Sequence, residues 1–211
     1  MPVIKLVDIC KKYDDKVIFD NLNLEIKGGE FVSIVGESGA GKSTLLNIIG
    51  LLETADSGDV IIHNVKNPKL QKRSGSILLR NNIAYLFQNY GLIDNETVLE
   101  NLMISLRFKQ MSRKDKITEA EKALENVGLS GFSRKKVYKL SGGEQQRVAL
   151  AKIMLKPCNI ILADEPTGSL DDDNKNAVLD ILKKFNEEGK TVIVVTHDTV
   201  VAECAKRNVR I

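Results

Sequence analysis

No apolar run in this chain approaches the roughly 18–20 residues that a bilayer-spanning helix needs, which excludes a transmembrane helix. The opening MPVIKLVDICKKYDD has no basic segment followed by a long apolar stretch, so no secretory signal is expected. Cysteine is scarce. Cys10, Cys158 and Cys204 lie far apart without C-x-x-C spacing, which argues against a disulfide framework and fits small, near-buried thiols in a reducing compartment. Of the two histidines, His63 has no carboxylate or second histidine nearby and reads as a surface residue rather than a metal ligand. A dominant charge is missing too: 31 basic and 28 acidic residues leave a net +3, which points to no particular partner. Residues 107–139 are basic and 164–188 acidic, a pattern open to an anionic surface or to a solvated helical face. Internal repeats, low-complexity segments and linkers are absent, and 211 residues suffice for one large domain or one domain with a subdomain.

What is present is dominated by one stretch, Phe31 to Gly50. Phe31-Val32-Ser33-Ile34-Val35 reads as a short strand buried on both faces. Gly36-Glu37-Ser38-Gly39-Ala40-Gly41-Lys42-Ser43 is a full match to G-x-x-x-x-G-K-[ST]. Thr44 to Ile49 has helical apolar spacing, and Gly50 is placed to end that helix. Triphosphate oxygens need many close donors, which backbone amides supply where glycine removes the Cβ and a helix N-terminus follows. The motif assigns Lys42 to the β- and γ-phosphates and the Ser43 hydroxyl to Mg²⁺. A nucleoside triphosphate site is the reading.

Along the chain, residues 3–9 and 22–26 alternate apolar and polar like half-exposed antiparallel strands. Lys11 to Asp15 reads as a polar turn carrying one aromatic, Tyr13. Val60–His63 and Ile83–Phe87 read as strands, with a polar, basic stretch over residues 66–80 between them. Val98, Leu99, Leu102, Met103 and Leu106, then Ile117, Ala120, Leu124 and Val127, recur at helical spacing and predict a small helical lobe over roughly residues 90–140. Ser141 with Glu144 three residues later is a capping box, so a helix is expected to start there, with Gly142 and Gly143 leaving its amides bare as a second anion site.

Ile160-Ile161-Leu162-Ala163 reads as a buried strand delivering Asp164 and Glu165 to its C-terminal end, where α/β sheets place their sites. Chemistry divides the roles: Asp164 for Mg²⁺ and Glu165 for activating water. Asp171 leads into a helix with Val178, Ile181, Leu182 and Phe185 on its core face and Gly189 just past its end. Thr191–Thr196 is the most β-prone run, and it carries His197 to the same sheet edge.

Together these residues resemble the nucleotide-binding domain of ABC ATPases over essentially the whole chain. Tyr13 falls at the family's adenine-stacking aromatic, Gly36–Thr44 at Walker A and Gln88 at the Q-loop. Leu140-Ser141-Gly142-Gly143-Glu144-Gln145-Gln146-Arg147 reproduces the signature, Ile160–Glu165 Walker B, Ser169-Leu170-Asp171 the D-loop and His197 the switch histidine. The resemblance implies an α/β P-loop fold with a mainly parallel RecA-like sheet, an N-terminal antiparallel β subdomain and an inserted helical subdomain. One domain over residues 1–211 is expected, its core in about 1–89 and 141–211 and its helical part in about 90–140. It further implies ATP and Mg²⁺ as ligands, with Ser43, Gln88 and Asp164 at the metal and Glu165, His197 and Lys42 as catalytic groups. Two copies pair head-to-tail in such proteins, so that Ser141, Gly142, Gly143, Glu144 and Asp171 of one meet the ATP held by the other.

Within the superfamily the stretches FQNYGLIDNETVLENL, LSGGEQQRVALAK and ADEPTGSLDDDN are most similar to lipoprotein-release and macrolide-export ATPases (LolD/MacB-like), with peptide and bacteriocin exporters close behind. Ile93-Asp94-Asn95-Glu96-Thr97 replaces the Leu-x-Pro-x-x-Thr of many relatives, which leaves the substrate open. Three functions compete. The first is the ATPase subunit of an exporter with a separate membrane-spanning permease, cytoplasmic and peripheral on the inner face of the membrane. The second is an ATP-gated regulator of a membrane partner, of the cell-division type. The third, a soluble ABC protein acting on DNA or ribosomes, usually carries an inserted coiled coil or two fused cassettes. Neither is seen here, so no nucleic-acid partner is expected. With Ile211 as the last residue, no regulatory C-terminal domain is expected.

Overall fold

The computed structural model describes residues 2–168 and 170–211. In chain order, a hairpin of β1 (Pro2–Tyr13) and β2 (Lys16–Lys27) leads into β3 (Phe31–Val35) and α1 (Lys42–Ile49). There follow β4 (Ser57–Ile62), β5 (Val65–Lys66), α2 (Arg73–Asn81) and β6 (Ile83–Leu86). Next come α3 (Val98–Ser105), α4 (Arg113–Asn126), a 3₁₀ turn at Val137–Lys139 and α5 (Gly142–Met154). The last elements are β7 (Ile160–Asp164), α6 (Asp172–Glu187), β8 (Thr191–Val195), α7 (Thr199–Glu203) and β9 (Arg207–Arg210).

Five strands form a parallel sheet in the order β6-β7-β8-β3-β9, and four form an antiparallel sheet in the order β2-β1-β4-β5. Successive side chains on a strand point to opposite faces, and here the two faces feed two cores. Phe31, Ala84, Leu86, Ile161, Ala163, Val192 and Val194 pack with α3 to α6. Val32, Ile34, Ile83, Ile160, Leu162, Ile193 and Val195 pack with α1 and the antiparallel sheet. That double coverage is why the parallel strands are continuous apolar runs in the sequence. The chain leaves the sheet after β6 and re-enters beside it at β7, so everything from α3 to α5 is an excursion between two neighbouring strands.

Local differences from the sequence reading have identifiable causes. β1 and β2 extend beyond residues 3–9 and 22–26, and Lys11 to Tyr13 belong to β1 rather than to a turn, which is confined to Asp14 and Asp15. Strict alternation from Ile4 and Leu6 would turn Asp8 inward. Instead Asp8 takes φ 50° at a bulge, the register slips between Leu6 and Ile9, and Ile9 is buried in its place. Gly50 is the C-cap of α1 at φ −76°, and the left-handed residue that turns the chain is Leu51, at φ 59°. Gly50 has a packing reason instead: a Cβ there would lie 3.0 Å from the Tyr85 ring. The polar stretch 66–80 contains the last residue of β5 and most of α2, whose N-cap Lys72 makes no side-chain cap. His63 is half-buried and bonds Asn159 Oδ1 through Nε2 at 2.9 Å. Other expectations hold: Val98, Leu102, Leu106, Ala120 and Leu124 are fully buried, and Gly189 sits past the α6 C-cap at φ 86°. Among the described residues no helix is long and apolar enough to cross a membrane.

The start of α3 is fixed by a capping box. The Thr97 hydroxyl accepts from Glu100 N, and Glu100 Oε2 accepts from Thr97 N at 2.7 Å and from the Thr97 hydroxyl at 2.6 Å. The Thr97 hydroxyl and amide together lower the Glu100 carboxyl pKa to about 2. A pKa depressed by folding stabilises above the ordinary glutamate range, and that contribution is lost as pH falls through the folded value. The stability difference between the parent and Glu100→Gln is therefore expected to be widest at neutral pH and to close as pH falls toward about 2. Urea unfolding across that range measures it.

Candidate active site

The C-terminal ends of four parallel strands deliver polar residues to one edge of the sheet. After β3 comes the glycine loop, after β6 Gln88, at the end of β7 Asp164 and Glu165, and after β8 His197. Crevices outside these carboxyl ends are where open α/β sheets bind ligands.

Residues Gly36 to Gly41 form a tight loop with Glu37, Ser38 and Ala40 between its glycines, closed by an Ala40 N–H bond to the Glu37 carbonyl. Gly41 is the N-cap of α1 at φ 95°. A Cβ there would lie 2.4 Å from Ile18 Cγ2 and 3.0 Å from the Phe19 ring, so the loop is seated directly on β2. The Lys42 side chain folds back over the loop. Its Nζ donates to the carbonyls of Gly36 at 3.0 Å and Glu37 at 2.8 Å, and only 9% of the residue is exposed. Thr44 Oγ1 lies 3.5 Å from the Tyr13 hydroxyl, which donates to Glu53; Lys11 in turn pairs with Glu53 at 3.0 Å. Tyr13 remains half-exposed beside the loop. Sequence reasoning missed Lys11, Glu53 and the Ile18–Phe19 seat, none of which carries a local motif.

Ser43 Oγ donates to Asp164 Oδ1 at 3.0 Å. Burial pushes the Asp164 carboxyl up. The Ser43 bond and the Lys42 charge pull it back, and the Glu165 charge raises it further. Glu165 follows in the left-handed region at φ 44°, an uncommon conformation that turns its side chain out of the strand direction. Its Oε1 meets His197 Nδ1 at 2.8 Å; the carboxyl side chain is 15% exposed and the imidazole 71%. Gln88 is exposed at the same edge. The set fits Mg²⁺ by its chemistry: a hydroxyl and a carboxylate, both hard oxygen donors, already in contact, with the carboxylate disfavoured as an isolated charge.

The second predicted anion site lies at the start of α5. Ser141 is the N-cap and forms the expected box with Glu144: its hydroxyl accepts from Glu144 N at 3.2 Å, and Glu144 Oε2 accepts from Ser141 N at 2.7 Å. A Cβ on Gly142 would meet the Tyr90 hydroxyl at 2.9 Å and one on Gly143 the Asn174 side chain at 2.4 Å. Asp171 caps α6 through Asn174 N at 2.9 Å, and the Asn174 amide bridges Asp171 and Arg147. Asn174, missed from the sequence, thus joins the signature helix to Asp171. The D-loop residue Ser169 lies outside the described residues. Of the predicted set, Lys42, Ser43, Asp164, Glu165 and His197 gather at one sheet edge, with Tyr13 beside the loop. Ser141 to Glu144 and Asp171 gather at a separate place formed by the starts of α5 and α6.

A cavity of about 760 Å³ opens elsewhere, between α2, β6, α3 and α5. Leu70, Tyr85, Phe87, Ile104 and Phe108 line it, and among the described residues its charged lining is Arg80, Lys109, Lys152 and Lys156. None of the sheet-edge residues above contributes to it.

A parallel sheet whose β3 runs through this loop into α1, with Asp164 ending β7 on the far side of β8, defines a P-loop nucleotide-binding domain. A profile of the ABC transporter family matches residues 19–168. An uncharacterised ABC transporter ATP-binding protein of Methanocaldococcus jannaschii, MJ0796, is 44% identical over 97% of this chain and 91% of its own length. The macrolide export ATP-binding/permease protein MacB of Campylobacter jejuni is 39% identical over 99% of this chain, which spans 33% of that relative. A dimeric structure of MJ0796 superposes with a TM-score of 0.91 at 43% identity, covering 99% of this chain and 94% of that one. Another, of a post-hydrolysis state bound to ADP and Pi, gives 0.90 at 41%, covering 99% and 94%. The chain belongs to the ABC transporter family of ATPases, and its fold is the ABC ATPase fold with a parallel RecA-like sheet and an N-terminal antiparallel subdomain.

Gly41→Ala tests how firmly the loop is seated. The new methyl group meets both a left-handed φ and the Ile18 side chain, so a loss of about 1–3 kcal/mol is expected. Chemical denaturation without nucleotide reads it.

Proposed function

We propose that this chain binds and hydrolyses ATP to drive a membrane partner, as the motor subunit of an exporter in the MacB group. One observation carries the reading: at a single sheet edge a P-loop lysine, a Ser43–Asp164 contact and a Glu165–His197 pair converge. The loop amides from Gly36 to Thr44 and Lys42 receive the phosphates, and Tyr13 stacks on the base. Ser43 and Asp164, with Gln88, hold Mg²⁺, which when bound supplies positive charge against the phosphate oxygens. Glu165 polarises the attacking water and takes up its proton, and His197 holds the γ-phosphate while orienting Glu165 through their shared bond.

Ser141 and Glu144 bond each other, and Gly142 and Gly143 lie close to Tyr90 and Asn174; among the described residues no hydrogen bond joins Ser141–Glu144 to the P-loop. This supports completion of the site in trans, where Ser141, Gly142, Gly143, Glu144 and Asp171 of one copy cover ATP held by another. The solved relatives described as dimeric accord with that arrangement. The helical lobe of about residues 90–140 faces the permease, and the apolar, cation-lined cavity beside it is where that partner docks. The macrolide exporters couple an ATP-binding and a permease function under one name, and this chain spans a third of them. A macrolide, a peptide or a lipoprotein is the cargo class that follows.

Glu165→Gln is expected to retain ATP while hydrolysis stops, and to sediment as a dimer only with ATP·Mg²⁺; near-native turnover would remove the general-base assignment. Lys42→Ala is expected to lose nucleotide affinity itself, read by titration. Reconstitution with the permease distinguishes transport from regulation: ATP-driven movement of substrate supports the motor, and intact ATPase without movement supports the regulator.

A further inference from the structure

Of the buried polar side chains that these roles leave over, Gln146 is the one with an unpaired polar atom among the described residues. Gln146 lies on α5 two residues past Glu144 and is 1% exposed. Its Nε2 donates to the Pro166 carbonyl at 2.7 Å, while its Oε1 is buried with no hydrogen-bond partner among the described residues. A buried amide oxygen without a partner costs on the order of 1–3 kcal/mol, and an apolar side chain of equal volume avoids that cost. The retained amide points to what its one bond does.

Pro166 is the residue after Glu165. The Glu165 backbone is held at its N–H by the Val195 carbonyl at 3.0 Å and at its carbonyl by the Gly168 N–H at 3.2 Å. Both bonds come from the sheet or from the turn itself. The bond from Gln146 to the next carbonyl is the one that comes from the signature helix, and it grips the turn where Glu165 sits at φ 44°. One residue further along α5, Arg147 bonds Asn174, which bonds Asp171. The helix therefore holds both ends of the segment between the strand and α6.

We propose that Gln146 is a positioning residue: through the Pro166 carbonyl it sets the orientation of the Glu165 carboxylate, and it links that orientation to the position of α5. Resting on the trans arrangement above, this makes each Glu165 responsive to the ATP of the opposite site. The start of α5 covers one nucleotide, while the same helix grips the catalytic turn belonging to the other.

The test uses the full chain, with Gln146→Met as an apolar near-isostere and ATP turnover and binding measured together. The expected result is a kcat about tenfold lower, the scale of one lost bond of about 1.4 kcal/mol. ATP affinity is expected to stay within about twofold, and the Hill coefficient to fall toward one, with cooperative unfolding retained because relief of the unpaired Oε1 opposes loss of the Pro166 bond. Native kcat, or a loss confined to stability or ATP affinity, overturns the proposal; reduced kcat with an unchanged Hill coefficient overturns its coupling part. Gln146→Glu is the second variant. Only its protonated form donates to a carbonyl, and burial favours that form, so its kcat is expected to recover relative to the parent as pH falls. A profile parallel to the parent overturns the proposal even if the methionine variant does not fold. Sedimentation of Glu165→Gln separates the two readings: a failed ATP-dependent dimer removes the trans arrangement and leaves the kcat result to judge Gln146.

Discussion

A sheet covered on both faces has few places to put a polar side chain. Four of the five parallel strands, β3, β6, β7 and β8, send alternate residues into two separate cores, and polar side chains collect at the strand ends. Parallel topology brings the C-terminal ends together, so the glycine loop, Gln88, Asp164, Glu165 and His197 are assembled by the same rule that buries Ile161, Leu162 and Ile193. The chemistry is a boundary property of the packing. Asp164 shows the tension at that boundary: burial raises its pKa, and Ser43 and Lys42 are the groups that oppose it.

The excursion between β6 and β7 is the second organising feature. Because those strands are parallel neighbours, the excursion through α3 to α5 leaves from the sheet edge that carries the site, after β6, and returns at the opposite edge, where β7 begins. Helix α5 does the most with this placement. Its first turn presents Ser141, Gly142 and Gly143, its flank meets Asn174, and its buried Gln146 reaches the turn after Glu165.

Legibility in the sequence followed the range of the forces involved. Walker A, the Ser141–Glu144 box and the strand bearing Asp164 and Glu165 could be read because each is set by a few adjacent residues whose chemistry is local. The pairing of Glu165 with His197 could be anticipated only as a shared edge, since the 2.8 Å contact depends on the backbone of Glu165 turning left-handed. α2 went unseen because its cap position, Lys72, offers no capping side chain, and β9 because Arg207-Asn208-Val209-Arg210 carries too little apolar signal. The bulge at Asp8 and the left-handed Leu51 are tertiary decisions: the chain spends local strain to keep Ile9 inside and to turn after α1. Asn174 and Gln146 belong to the same class, ordinary amides whose importance lies wholly in what folding places beside them.

Lys42 holds two carbonyls of its own loop, those of Gly36 and Glu37. The ammonium group is thus an internal brace as well as a charge. Its cost of ordering is met before any anion arrives, so phosphate meets a cation already fixed in place. A neutral side chain at this position therefore removes a cross-link within the loop together with the electrostatic attraction. The affinity lost on such a change is the sum of a loosened scaffold and a missing charge, not a measure of the phosphate contact alone.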